Sequence, residues 1–164
     1  MESRFKVLGH AAHPILIVFP LGLLATSVIF DVLCAATGNP QFPVAAYWMI
    51  AAGIIGGLVA AVPGFVDWLA IPKDTRAKRV GLIHAVGNDI VLVLFAVSWW
   101  LRRDTQDHDP TTVAFALSVV GLLLALFTGW LGGELVERHA VGVHDGAHLD
   151  APHSLSGRPA RERE

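Results

Sequence analysis

Charge is the scarcest resource in this sequence. Only 16% of its 164 residues are Asp, Glu, Lys or Arg, against 54% hydrophobic residues and a mean hydropathy of +0.56. A soluble domain of this size would carry more charge on its surface, so the composition places the chain in a lipid bilayer. Cysteine is nearly absent as well. The single Cys34 excludes an intrachain disulfide and a metal site built from cysteine alone. There is no phosphate-binding glycine loop, no nucleophile elbow and no pair of CxxC motifs, which removes the commonest soluble chemistries. No nucleic-acid partner is expected.

What the chain does have is long apolar runs. A helix needs about 20 mostly apolar residues to cross a hydrocarbon core of about 30 Å. Four stretches meet this requirement, at about residues 14–36, 44–70, 80–101 and 112–136. The expected fold is all-α: an integral-membrane four-helix up-down bundle over residues 1–143, followed by a short flexible tail, 144–164. The basic start and the apolar run from Ile15 to Phe30 resemble a secretory signal, but the run is too long and no small-residue cleavage site follows, so it is read as a retained first helix.

The few charges are unevenly placed. Four spans put the N-terminal segment, the Ile71–Arg79 loop and the C-terminal tail on one side, together with Arg4, Lys6, Lys73, Arg76, Lys78, Arg79, Arg138, Arg158, Arg161 and Arg163. The other side has only Arg102 and Arg103 beside Asp104, Asp107 and Asp109. Positive loops face the cytoplasm, so both termini are expected there, in a bacterial cytoplasmic membrane. Asp31, at the outer end of the first span, is expected to meet water or Arg102, and His108 to be a solvated loop residue.

Polar residues inside apolar spans need explanation. The third span, GLIHAVGNDIVLVLFAVSWW, carries His84, Asn88 and Asp89. His84 and Asn88 are one helical turn apart on one face. An ionised Asp89 near the middle of the span costs about 2.5–3.5 kcal/mol, so it must be paired, hydrated or protonated. Asp67, near the end of the second span, needs a partner too; Lys73 and Arg76 are the candidates, or else it serves as a ligand. Gly53 with Gly57, and Gly129 with Gly133, have the spacing that lets helices approach closely or leaves room for a flat ligand.

Seven of the eight histidines fall on the expected cytoplasmic side. His144, His148 and His153 belong to the tail. His10, His13, His84 and His139 stand at or just inside the ends of three different spans, which an up-down bundle brings together. Imidazole ligates haem iron and bare transition metals alike. For b-type haem, His84 pairs with either His13 or His139, and Gly56, Gly57, Gly132 and Gly133 could line the ring. For a bare Zn or Fe ion, the three histidines are joined by Asp67 or Glu134 in a mixed nitrogen and oxygen shell. His10, Asn88 and Asp89 are candidates for support or proton handling.

His13-Pro14, Phe19-Pro20-Leu21-Gly22-Leu23, Asp31, His84 with Asn88, and Gly129-Trp130-Leu131-Gly132-Gly133-Glu134-Leu135-Val136 with His139 through Val143 together resemble a bacterial predicted-transmembrane family, domain of unknown function 2231. The resemblance extends to Val143. It implies no settled activity. Some relatives are joined to Rieske-type iron–sulfur domains, which implies electron transfer near the membrane, here with a separate Rieske-type protein. The expected function is electron transfer at a His/carboxylate site. A metal-dependent membrane hydrolase or oxidase, a transporter component and a non-catalytic membrane subunit, each open to homo-oligomerisation, remain the alternatives.

The charge asymmetry generates a test of topology. A periplasm-dependent phosphatase fused after Arg103 should be active, and the same enzyme fused in the C-terminal tail should be inactive; the reverse pattern would invert the assignment.

Overall fold

The computed structural model describes residues 1–162, so Arg163 lies outside the described residues. Four long helices dominate: α1 (Ala12–Thr37), α2 (Gln41–Ala70), α3 (Arg76–Arg102) and α4 (Thr112–Glu137). All four are long and apolar enough to span a membrane. They coincide with the four apolar stretches, extended by about one turn at the starts of α2 and α3 and by two residues or fewer elsewhere. Local chemistry sets the boundaries. α1 stops at Gly38, whose left-handed backbone lets its N–H reach the Cys34 carbonyl at 2.8 Å. The Thr75 and Thr111 hydroxyls accept from the Lys78 and Ala114 N–H groups at 3.1 and 3.2 Å, capping α3 and α4.

The N-terminal segment folds into a short hairpin. β1 (Lys6–Val7) pairs antiparallel with β2 (His10–Ala11) through a two-residue turn in which Leu8 and Gly9 both have positive φ. That geometry matches the right-handed twist of a hairpin. After α4 the chain has no long helix. It turns back over the N-terminal hairpin, where His144 Nε2–H donates to the Gly9 carbonyl at 2.9 Å and His10 Nε2 lies 3.3 Å from Ser154 Oγ. Glu2 bonds Lys6 and accepts from the Asp145 N–H at 3.2 Å. These contacts, the Lys6 bond first, hold the Glu2 carboxyl below the usual carboxylate range. Their contribution is present at neutral pH and disappears as pH falls through that lowered value.

α1 packs chiefly on α2 and α3 on α4, while the two hairpins meet less extensively. The hairpins are counterparts. The interval from His13 to Asp31 equals that from His84 to Arg102, and Leu24 corresponds in the same way to Phe95 and Ser27 to Ser98. On the second helices, Gly53, Ala60 and Gly64 correspond to Gly121, Thr128 and Gly132. Packing repeats with the positions. A side chain at Gly53 would run into Leu24, and one at Gly121 into Phe95. Equivalent residues then meet across the middle: His13 faces His84, and Asp31 faces Arg102. Both hairpins run the same way, which describes a parallel repeat about an axis along the bundle.

The axis carries one charged pair. Arg102 Nη1 and Nη2 each donate to an Asp31 carboxylate oxygen at 2.7 Å, and neither side chain has any exposed surface. Ser98 and Ser118 hydroxyls accept from the same guanidinium at 3.2 and 3.0 Å, and Ser98 donates to the Ala114 carbonyl at 2.7 Å. The expected Asp31–Arg102 contact is therefore present, as a bidentate pair. His108 is not a solvated loop residue: its ring stacks on Tyr47 with centroids 3.8 Å apart. A rigid flat ring beside a Tyr is more stable covered than wet.

Removing one member of the buried pair strands the other in a dry site. Asp31→Asn or Arg102→Leu should each cost about 3–5 kcal/mol, and the double change Asp31→Leu with Arg102→Met should recover most of it, as read by reversible unfolding in mixed micelles.

Candidate functional site

Between the two hairpins lies a cavity of about 540 Å³. Its walls are mostly apolar, with Ile17, Leu21, Ala61, Leu92, Ala125 and Leu135 contributed by all four helices. Five residues with polar or ionisable side chains from the expected set line it: His13, Asp67, His84, Asn88 and Asp89. No Lys or Arg does.

Each histidine is held by the partner helix of its own hairpin. His13 Nδ1–H donates to the Ala60 carbonyl and His84 Nδ1–H to the Thr128 carbonyl, both at 2.8 Å. A carbonyl only accepts, so both rings must be protonated at Nδ1, which leaves Nε2 of the neutral ring with its lone pair free. The sequence explains why the rings fit. A side chain at Gly64 would come within 2.8 Å of His13 Nδ1, and one at Gly132 within 3.1 Å of His84 Cε1. Ala60 also sits just before Pro63, which has no N–H and loosens the helical ladder in that turn. The two ring centroids are 6.1 Å apart with planes at 85°.

Asn88 and Thr128 brace His84. The Asn88 amide donates to the His84 carbonyl at 2.8 Å and accepts from the Thr128 hydroxyl at 3.1 Å. Its nitrogen lies 3.5 and 3.4 Å from His84 Nδ1 and Nε2, nearly equidistant and so off the Nε2 lone-pair axis. Thr128 reaches this position because Gly87 has no side chain, where a Cβ would sit 2.5 Å from the Thr128 methyl.

The other expected residues are elsewhere. Asp67 does not pair with Lys73 or Arg76. Its carboxylate accepts from the Ser3 hydroxyl at 2.7 Å and from the Arg4 and Phe5 backbone N–H groups at 2.7 and 3.3 Å. The N-terminal segment is thereby tied across the cavity's edge. Lys78, in the first turn of α3, is used differently: it donates to the Trp68 carbonyl at 2.6 Å and lies 3.8 Å over its ring. His139 does not line the cavity, and its Nε2 is buried without a hydrogen-bond partner among the described residues. Glu134 is half-buried on α4 outside the cavity, and His10 is exposed on β2. Among the described residues no three His, Cys, Asp or Glu side chains are gathered as a metal group. Asp89, expected to be paired, hydrated or protonated, is exposed and has no hydrogen bond or ion pair with any described residue, which leaves out the first of these. Gly56 and Gly57 take up Phe19 and Leu92, so they serve packing, while Gly132 makes room for His84 and Gly133 faces open space.

Ser3, Ala60, Gly64 and Thr128 lay outside the expected set. Only Pro63-Gly64 carries a visible sequence signal, a break in an apolar helix. Backbone carbonyls carry none.

A four-helix membrane bundle with a histidine from each hairpin facing an internal cavity is the class that this fold and site define. The chain belongs to a family described as predicted membrane protein, domain of unknown function 2231, whose model matches residues 9–145. No curated protein and no solved structure matches it.

The glycine geometry can be tested directly. Gly64→Ala should displace the His13 ring, break its bond to Ala60 and cost about 1–3 kcal/mol in unfolding free energy. Gly133→Ala, which meets nothing within 4 Å, should stay within about 0.5 kcal/mol of the parent.

Proposed function

We propose that this chain is a membrane-embedded electron carrier that binds b-type haem between His13 and His84. The observation that carries this reading is the histidine pair. Two imidazoles bound through Nε2 to opposite faces of one iron, at about 2.0 Å each, have ring centres roughly 6 Å apart. The separation of 6.1 Å agrees with that spacing. A backbone carbonyl on each Nδ1–H is the usual way to fix the tautomer and orientation of a ligating imidazole. The cavity of about 540 Å³ has the apolar walls and the size suited to a porphyrin.

The chain's own residues divide the work. His13 and His84 would hold the iron, the carbonyls of Ala60 and Thr128 fix their rings, and the apolar walls exclude water. Bound there, the haem supplies one-electron chemistry, and the protein sets its potential through ligation and burial. Two histidines satisfy a haem, whereas a bare metal in a hydrolase or oxidase needs a third ligand, which the described residues do not gather. The physiological partner on this reading is a separate one-electron protein, with a Rieske-type iron–sulfur protein as the candidate, at the face where both termini lie. The charge distribution supports a cytoplasmic placement of that face in a bacterial inner membrane.

Protein purified from cells with ample haem should show a Soret band that shifts on reduction with dithionite. His13→Ala and His84→Ala should each lose or strongly alter that spectrum, whereas His139→Ala and Glu134→Gln should keep it. A colourless parent protein, or an unchanged spectrum in both ligand variants, would overturn the reading.

A further inference from the structure

We infer that residues 3–11 form a lid over the end of the cavity where both termini lie, and that Asp67 is the latch that holds it shut. The inference concerns access to the cavity and holds whatever molecule occupies it. The cavity reaches that end, because Ala11, Val141 and Gly142, all outside the four helices, line it. A side chain at Gly142 would meet the Ala11 methyl at 3.9 Å, so the strand before α1 and the turn after α4 close on each other there. The opposite end of the bundle is filled by the buried Asp31–Arg102 pair.

Little besides Asp67 holds the lid to the helices. Of residues 1–11 only Ser3 is buried, while the apolar Phe5, Val7 and Leu8 are exposed. The Ser3 hydroxyl and the Arg4 and Phe5 N–H groups all donate to the one Asp67 carboxylate, at 2.7, 2.7 and 3.3 Å. Apart from the Phe5 carbonyl, which accepts from the Ala12 N–H at the start of α1, the segment's other bonds run to the turn and tail after α4. The Met1 carbonyl accepts from the Gly142 N–H, and the Gly9 carbonyl from His144, each at 2.9 Å. These tie the lid to that turn and tail, not to a membrane helix. The α2–α3 connection at the same end is fastened directly: the Trp68 indole N–H donates to the Lys78 carbonyl at 3.2 Å, and the Lys78 ammonium to the Trp68 carbonyl at 2.6 Å.

A segment with few buried contacts opens locally at a cost set by the bonds that hold it. Here those bonds share one charged acceptor, which makes each stronger than a neutral pair. When they break, water takes over the Asp67 carboxylate and the strand carrying Ala11 leaves the cavity wall. The rival route runs sideways from the lipid, since Leu21, Phe65 and Val136 line the cavity and are also exposed on the helix faces.

Thiol-modification rates in lipid nanodiscs separate the two routes. With Cys34→Ser removing the chain's own thiol, Ile17→Cys places one in the cavity wall and Leu149→Cys one on the exposed tail. A methanethiosulfonate bearing a quaternary ammonium is too polar to travel through lipid. It should modify Ile17→Cys slowly in the parent background and about tenfold or more faster with Asp67→Ala. Ser3→Ala should accelerate the reaction by a smaller factor, and Leu149→Cys should react at one rate in all three backgrounds. Should Asp67→Ala fail to fold, Ser3→Ala decides. An unchanged Ile17→Cys rate in the folded latch variants overturns the inference, as does a parent in which Ile17→Cys reacts as fast as Leu149→Cys. A lipid-soluble maleimide that reaches Ile17→Cys rapidly, while the charged reagent stays slow in every variant, overturns it in favour of sideways entry. A colourless purified protein overturns the haem reading and leaves this inference standing.

Discussion

Inside a hydrocarbon layer a polar side chain has no water to return to, so its partner must be supplied by the protein. That constraint orders the bundle from one end to the other. At one end the Arg102 guanidinium spends its donors on Asp31, Ser98 and Ser118. Further along the axis two imidazole rings give their Nδ1 protons to helix carbonyls. At the terminal end the Asp67 carboxylate collects a hydroxyl and two backbone N–H groups. Between these groups the walls of the cavity are mostly apolar.

The repeat explains why the polar groups lie where they do. Residues at equivalent positions of two like hairpins face each other near the axis that relates them. The histidines therefore meet as a pair, and the same operation brings Asp31 to Arg102. Identical residues on an axis would be two acids or two bases and would repel in a dry site. The opposite charges at that position resolve the conflict, and at the other each imidazole gives its Nδ1 proton to a carbonyl of its own hairpin.

Much of this was legible in the sequence. Hydropathy located four spans, because twenty apolar residues in a row have few alternatives, and the family resemblance was carried by motifs at both ends of the chain. Asp31 with Arg102 was legible because two opposite charges at one membrane surface have strong reason to meet. The histidine set was only half legible. Sequence placed His10, His13, His84 and His139 at one end of the bundle, but the depth at which each helix begins separates them: His13 and His84 share a cavity, His10 is drawn into a hairpin, and His139 falls beyond the last turn. The partner of Asp67 was invisible because it is mostly backbone. The repeat was equally hidden, since few identities survive between its halves and only the packing of Gly53 on Leu24 and Gly121 on Phe95 makes the correspondence plain.

The division of the histidine clamps between hairpins has a consequence for biogenesis. Ribosomal synthesis delivers α1 and α2 first, with His13 and its carbonyl complete, but His84 is not braced until Thr128 of the last helix arrives. A half-inserted chain holds one jaw of the clamp and no more. On the proposed haem reading, loading would therefore be a closing event of assembly, and a truncation that leaves three good membrane helices would yield an anchored but empty protein.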